Sequence, residues 1–194
     1  MSNPIEIATV DGRRQRSERS RAAIITATLN LLDGGNLSPT AKQITEEAGV
    51  GLRSFFRHFE DMDTLLNEID NHLRDDYERL FQKPISDGSI EDRMADFIIT
   101  RSVAYERLKK IMLSTQAHLW RSEAVRTNYG RNQKTMRKHF EKCVPELKSL
   151  PGNKREAAHA AASFELWHRL RHHQKLNLSE ARDAVLSILR GLLS

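Results

Sequence analysis

Four polar side chains recur at fixed spacing in one short run: Arg53, Ser54, Arg57 and His58. Arg53 and Arg57 are four residues apart, as are Ser54 and His58, so on a helix the two pairs lie side by side on one face. Two guanidiniums, a hydroxyl and an imidazole suit a polar, anionic partner, and an arginine fork matches the major-groove edge of guanine. Leu52, Phe55, Phe56 and Phe59 interleave with them at i, i+3, i+4 and i+7 and form an apolar stripe. Such a helix is two-faced. One side is pinned into a small core, and the other is offered to a partner, as a recognition helix in the major groove requires.

The elements that must hold it are legible upstream. Residues from about 18 to 33 place Ile24, Ala27, Thr28, Leu31 and Leu32 on one stripe, and Gly34-Gly35 ends that helix. Ser38 is a candidate N-cap with Pro39 at the first helical position. A short helix follows with Ala41, Ile44, Thr45 and Ala48 inward, and Gly49 stops it. Gly49 tolerates positive φ, and Val50 plugs the crevice between the two helices. Helix, tight turn and helix make a helix-turn-helix unit, although an ordinary helical hairpin has the same outline. Ahead of it, Arg13, Arg14, Arg16, Arg19 and Arg21 stand against Glu18 alone. That composition suits phosphate or minor-groove contact, and equally a solvated tail.

The rest of the chain also reads as helix. Strand signals are absent. Asp61 is placed to cap a helix over 61–82, whose stripe runs through Met62, Leu65, Leu66, Ile69, Leu73, Tyr77, Leu80 and Phe81. Pro84 to Gly88 reads as a turn or linker. Further helices are expected near 89–108, 108–120, 122–143, 153–174 and 179–193. The expected class is all-α: a flexible Arg-rich arm over 1–17, a three-helix helix-turn-helix domain over 18–60, and a larger helical bundle over 61–194.

Composition bounds the setting. The 194 residues carry 39% hydrophobic and 29% charged side chains, ordinary values for a soluble folded protein. One cysteine, Cys143, excludes an internal disulfide framework and fits a reducing compartment. No apolar run approaches the ~20 residues that span a bilayer, and the first twelve residues lack a signal peptide's pattern. The expectation is a cytoplasmic protein with no membrane partner. The net charge of +5 is uneven: residues 61–100 hold 4 Lys/Arg against 11 Asp/Glu, and residues 101–142 hold 11 against 3.

The run IITATLNLLDGGNLSPTAKQITEEAGVGLRSFFRHFEDMDTL, residues 24–65, resembles the DNA-binding domain of TetR-type (tetracycline-repressor-like) transcriptional regulators. The matching features are the Gly34-Gly35 end of the first helix, Thr40, Ile44-Thr45, Ala48-Gly49-Val50, Phe56-Arg57-His58-Phe59, Asp61 and Leu65. Four positions depart from the pattern. Gly51 replaces a Ser, Arg53 a Gly, Phe56 a Tyr whose hydroxyl typically reaches a phosphate, and Met62 a Lys. The resemblance implies that Arg53 and Ser54 read bases, that Arg57 meets a base or a phosphate, and that His58, Thr40, Arg19 and Arg21 hold phosphates. Gly51, Leu52 and Phe56 complete the expected DNA-facing set on a double-stranded operator.

The resemblance also implies a two-fold homodimer built from the last two helices, through Phe164, Trp167, Val185, Ile188, Leu189 and Leu192, unless these complete a monomer core. It further implies a pocket for a small-molecule effector. Candidate lining residues are Phe97, Arg101, Tyr105, Met112, Gln116, Trp120, Phe140 and Trp167, which suit a plain helical core equally well. Glu165, His168, His172 and His173 match no trusted metal motif, so no metal or cofactor is expected. With no phosphate-cradling loop, nucleophile elbow or acid–base pair, an enzyme is not expected. The competing class is a helical adaptor with a vestigial helix-turn-helix. The expectation is a ligand-released repressor.

Overall fold

In the computed structural model, residues 4–81 and 87–194 are described, with side chains described from residue 12 onward. All regular secondary structure among them is helical: α1 (Pro4–Asp33), α2 (Ala41–Ala48), α3 (Leu52–His58), α4 (Met62–Phe81), α5 (Ile90–His118), α6 (Glu123–Cys143), α7 (Gly152–Ala161), α8 (Phe164–His168) and α9 (Leu178–Leu193). A 3-10 turn at Pro145–Ser149 precedes α7, and a π turn at Arg169–His173 extends α8. The expected turn at Pro84–Gly88 lies outside the described residues except for its last two, which form a bend.

The chain forms two compact units. Unit 1 comprises Met1–His72 with Leu113–Thr127, and unit 2 comprises Leu73–Met112 with Asn128–Ser194. The sequence-based boundary at residue 60 therefore falls inside unit 1, which also takes in a segment some forty residues further along.

In unit 1, α1, α2 and α3 pack on one another. Their shared core is Ile24, Ala27, Thr28, Leu32, Ile44, Thr45, Phe55 and Phe59, with Leu65 and Ile69 from α4. Thr28, on α1, returns its hydroxyl to the Ile24 carbonyl at 2.8 Å, so this buried polar group is satisfied. Near the C-terminus of α1, Gly35 has φ +94° and Asn36 donates back to the Leu31 carbonyl, which closes the helix as Gly34-Gly35 predicted. The helical start is a correction: α1 begins at Pro4, and Arg13, Arg14, Arg16 and Arg19 lie on its continuous length.

Beyond α4, several helices depart from the sequence reading. The two helices expected near 89–108 and 108–120 are one, α5, which nothing in its sequence interrupts with Gly or Pro. The helix expected over 153–174 breaks at Ala162, where Ser163 caps α8 by accepting from the Leu166 amide. At α9, Asn177 and Glu180 form a reciprocal capping box. Phe164, Trp167, Val185 and Leu189, expected at a dimer seam, are buried within this one chain. Of that set only Ile188 is exposed, at 41%, and Leu192 is half-buried.

Candidate nucleic-acid interface

The turn between α2 and α3 is set by Gly49, whose backbone lies in the left-handed region at φ 65°, ψ 29°. Its amide and that of Val50 both return to the last carbonyls of α2. A non-glycine residue is strained in this conformation, so glycine belongs here on backbone grounds alone.

The N-terminus of α2 corrects the sequence reading. The cap is Thr40, not Ser38: its hydroxyl accepts from the Gln43 amide at 3.3 Å, and the Gln43 side chain accepts from the Thr40 amide at 2.9 Å. The Thr40 hydroxyl expected to meet a phosphate is thus committed to a capping box. Ser38 has another role. Its hydroxyl accepts from Arg121 Nη2 at 2.6 Å and lies 3.3 Å from His118 Nε2. Buried His118 in turn has Nδ1 2.7 Å from the Ser114 carbonyl. This junction joins residues some eighty positions apart within unit 1, and no local sequence signal announces it.

Seven residues make up α3, with Gly51 as an N-cap that supplies no side-chain bond. Phe55 and Phe59 are seated in the core at 0% and 1% exposure. Leu52 and Phe56 are not: they stand 47% and 53% exposed. At about 100° per residue the buried sector is centred on Phe55 and Phe59, so the helix is rolled relative to the four-residue stripe. The outward face therefore carries Leu52, Arg53, Phe56 and Arg57, with Ser54 and His58 half-buried at its edge. The Arg57 Nη2 and His58 Nε2 atoms approach to 3.5 Å. Partial burial, then the charges of Arg57 and Arg21, lower the His58 pKa, so the imidazole is neutral at pH 7.

The remaining expected contacts divide. Arg19 is exposed on α1. Arg21 is half-buried, paired with Glu68 at 2.9 Å, and its guanidinium lies 5.4 Å from the Phe59 ring centroid. It is engaged in holding α4 and α3 to α1. Asp61 does cap α4, accepting from the Thr64 amide at 2.7 Å and hydroxyl at 2.8 Å. The amide bond and then the hydroxyl bond lower its pKa. Met62 is half-buried between Asp61 and Asp63.

The expected pocket residues do not form one group. Phe97, Arg101, Tyr105, Phe140 and Trp167 are buried in unit 2, and Phe97 stacks on Phe140 at 4.1 Å between centroids. Met112 in unit 2 and Gln116 in unit 1 are half-buried. Trp120 is a correction: it is 79% exposed in unit 1, beside the Arg121 guanidinium. Among the described residues no group of three or more His, Cys, Asp or Glu could hold a metal ion. His168 and His172 stack at 4.9 Å, while Glu165 accepts from the Tyr129 hydroxyl at 2.8 Å. Among the described residues no helix is long and apolar enough to cross a membrane.

No protein-family model and no curated protein matches the chain. Solved structures do. A protein assigned to the TetR family of transcriptional regulators, from Rhodococcus sp., superposes with TM-score 0.62 at 16% identity, over 91% of this chain and 100% of that one. A transcriptional regulator from Rhodococcus sp. Rha1 gives 0.67 at 14% identity, over 91% and 95%. One assigned to the TetR family from Mesorhizobium loti gives 0.54 at 16% identity, over 92% and 96%. Together with the helix-turn-helix geometry of α2 and α3, these matches show that the chain has the fold of TetR-family transcriptional regulators.

Proposed function

We propose that the protein is a sequence-specific DNA-binding transcriptional regulator, a homodimeric repressor released from its operator by a small-molecule ligand. One observation carries the reading. Phe55 and Phe59 anchor α3, and Leu52, Arg53, Phe56 and Arg57 stand outward beyond the Gly49 turn. Arg53 and Arg57 supply forks for guanine edges or phosphates, and Leu52 and Phe56 supply apolar surface of the kind that packs on thymine methyls. Exposed Phe56 has no hydroxyl for a phosphate, so exposed Arg19 on α1 carries more of the backbone contact. An operator as partner places the protein in the cytoplasm.

The dimer reading rests on Ile188 and Leu192, exposed and half-buried one turn apart on α9. A two-fold pair would set the two recognition helices about 34–36 Å apart, one turn of DNA. The ligand acts by favouring one conformation of the pair, through α4, which has residues in both units.

Selection of bound sequences from a random DNA pool, at about 0.15 M salt, tests the reading. The expected result is an enriched palindrome. Arg53→Ala should then cost about 1–3 kcal/mol on that site and relax discrimination. Sequence-blind binding that vanishes with added salt defeats the regulator reading. The exposed pair Leu52 and Phe56 would then mark a protein-docking helix.

A further inference from the structure

Unit 2 holds a buried arginine that forms no ion pair among the described residues. Arg101, on α5, is 5% exposed. Its guanidinium lies 4.9 Å from the Phe97 ring centroid and 5.1 Å from that of Phe81. Nη2 donates to the Met136 carbonyl at 2.8 Å. Nε is buried and has no hydrogen-bond partner among the described residues.

The surrounding groups are neutral. The side chains acting most directly on the guanidinium are the Tyr105 hydroxyl, which also hydrogen-bonds it, and the Cys143 thiol. Burial raises the pKa of both, so neither is ionised at pH 7. His139, whose ring centroid lies 6.2 Å from that of Phe97, is held neutral until about pH 4 by burial and by the charges of Arg101 and Lys142. Three carboxylates of this unit are engaged elsewhere: Glu146 with Arg93, Glu141 with Arg155 and His159, Glu106 with Arg171 and Trp167. No carboxylate among the described residues forms an ion pair with Arg101.

An arginine does not shed its proton to escape burial. A buried, unpaired ion is costly, and two ring faces recover only part of that cost. The donor left over is Nε–H, and a carboxylate oxygen is the acceptor that would satisfy it and the charge together. The enclosing surface is aromatic and the cation is single, which suits one negative charge on an apolar body.

We propose that Arg101 is the anchor of an effector site for an organic monocarboxylate with an aromatic or aliphatic body, packed beside the rings of Phe81 and Phe97. This rests on the reading of the protein as a ligand-released regulator and names the chemistry of its ligand. The carboxylate supplies the counter-charge that the fold omits, and its apolar body packs on the rings.

The experiment compares matched probes on the full chain: benzoate with benzyl alcohol, and octanoate with octanol. Thermal melting and calorimetry are read without DNA. Both acids should raise the Tm of the wild type and the alcohols should not. Arg101→Met, close in volume and uncharged, should lose the acid response and melt at or above the ligand-free wild type, because an uncompensated charge has been removed. Arg101→Lys, which keeps the charge and loses the Nε donor, should bind the acids about tenfold more weakly. Equal shifts from acid and alcohol, or no shift from either acid, overturn the proposal. So does an Arg101→Met protein that fails to fold or melts far below the wild type, which would make Arg101 a structural strut. Operator binding is measured separately. An Arg101-dependent acid shift without DNA binding or release upholds the anion site and defeats the regulator reading. Acid-driven release that persists in Arg101→Met overturns the site and leaves the regulator reading standing.

Discussion

Phe55 and Phe56 are neighbours in the chain with ring centroids 5.2 Å apart, edge to face, and yet one is wholly buried and the other 53% exposed. The boundary between folding and recognition passes between them. Phe55→Ala should destabilise the protein by about 3–5 kcal/mol through a core cavity. Phe56→Ala should leave the melting temperature within a degree or two and weaken operator binding. Equal effects of both on stability would mean that Phe56 is part of the core after all.

The two arginines at the C-terminal end of the basic run should separate in the same way. Arg19→Ala should weaken DNA binding uniformly across sequences and reduce the salt slope by about one. Arg21→Ala removes the Glu68 pair and the Phe59 ring contact, so it should lower Tm and leave the salt slope unchanged. Binding titrations at several salt concentrations, alongside melting curves, decide the matter. A reduced slope for Arg21→Ala would return that residue to the phosphate-binding set.

Gly49→Ala should cost about 1–2 kcal/mol, because a Cβ disfavours φ 65°. The space itself is open: an added Cβ meets nothing within 4 Å. The penalty is therefore one of backbone conformation, and Gly49→Asn should recover part of it. Urea unfolding of the pair measures the difference, and an alanine variant as stable as wild type would contradict the turn geometry.

His139 makes stability depend on pH. A free imidazole takes its proton at 6.5, and His139 in the fold does so at about 4. Between these values the unfolded chain binds the additional proton, so stability falls as pH falls. The lowered pKa values of His159 and His168 act in the same direction. Urea midpoints should drop from pH 7 to pH 5, and His139→Asn should flatten part of that drop, by about 1 kcal/mol once the half-exposed ring's screening is allowed for. An unchanged slope in His139→Asn would remove this residue from the explanation.

The helix-turn-helix was legible because its determinants are local. Gly34-Gly35, Gly49 and Asp61 punctuate the chain, and a turn or cap reads only a few neighbouring residues. Thr40 displaced Ser38 as the cap because Gln43 stands three residues beyond it and completes the reciprocal pair. The roll of α3 was not legible: seven residues with four apolar side chains define a broad arc, and the position of α1 decides which half is buried. The commitment of Arg21 to Glu68 and of Ser38 to Arg121 joins residues far apart in sequence, which no pattern within a helix encodes. Arg101 stands among the lining residues expected from sequence, but the Phe81 ring and the Met136 carbonyl that meet its guanidinium lie on other helices and leave no local pattern.

With only seven residues, α3 is far below the length at which a helix persists alone in water. Its outward side chains hold their arrangement only while Phe55 and Phe59 remain seated. In genetic terms, alleles that lose DNA binding should not map to the outward face alone. They should scatter across Ile24, Thr28, Ile44 and Leu65, none of which is exposed, and many of them should be temperature-sensitive.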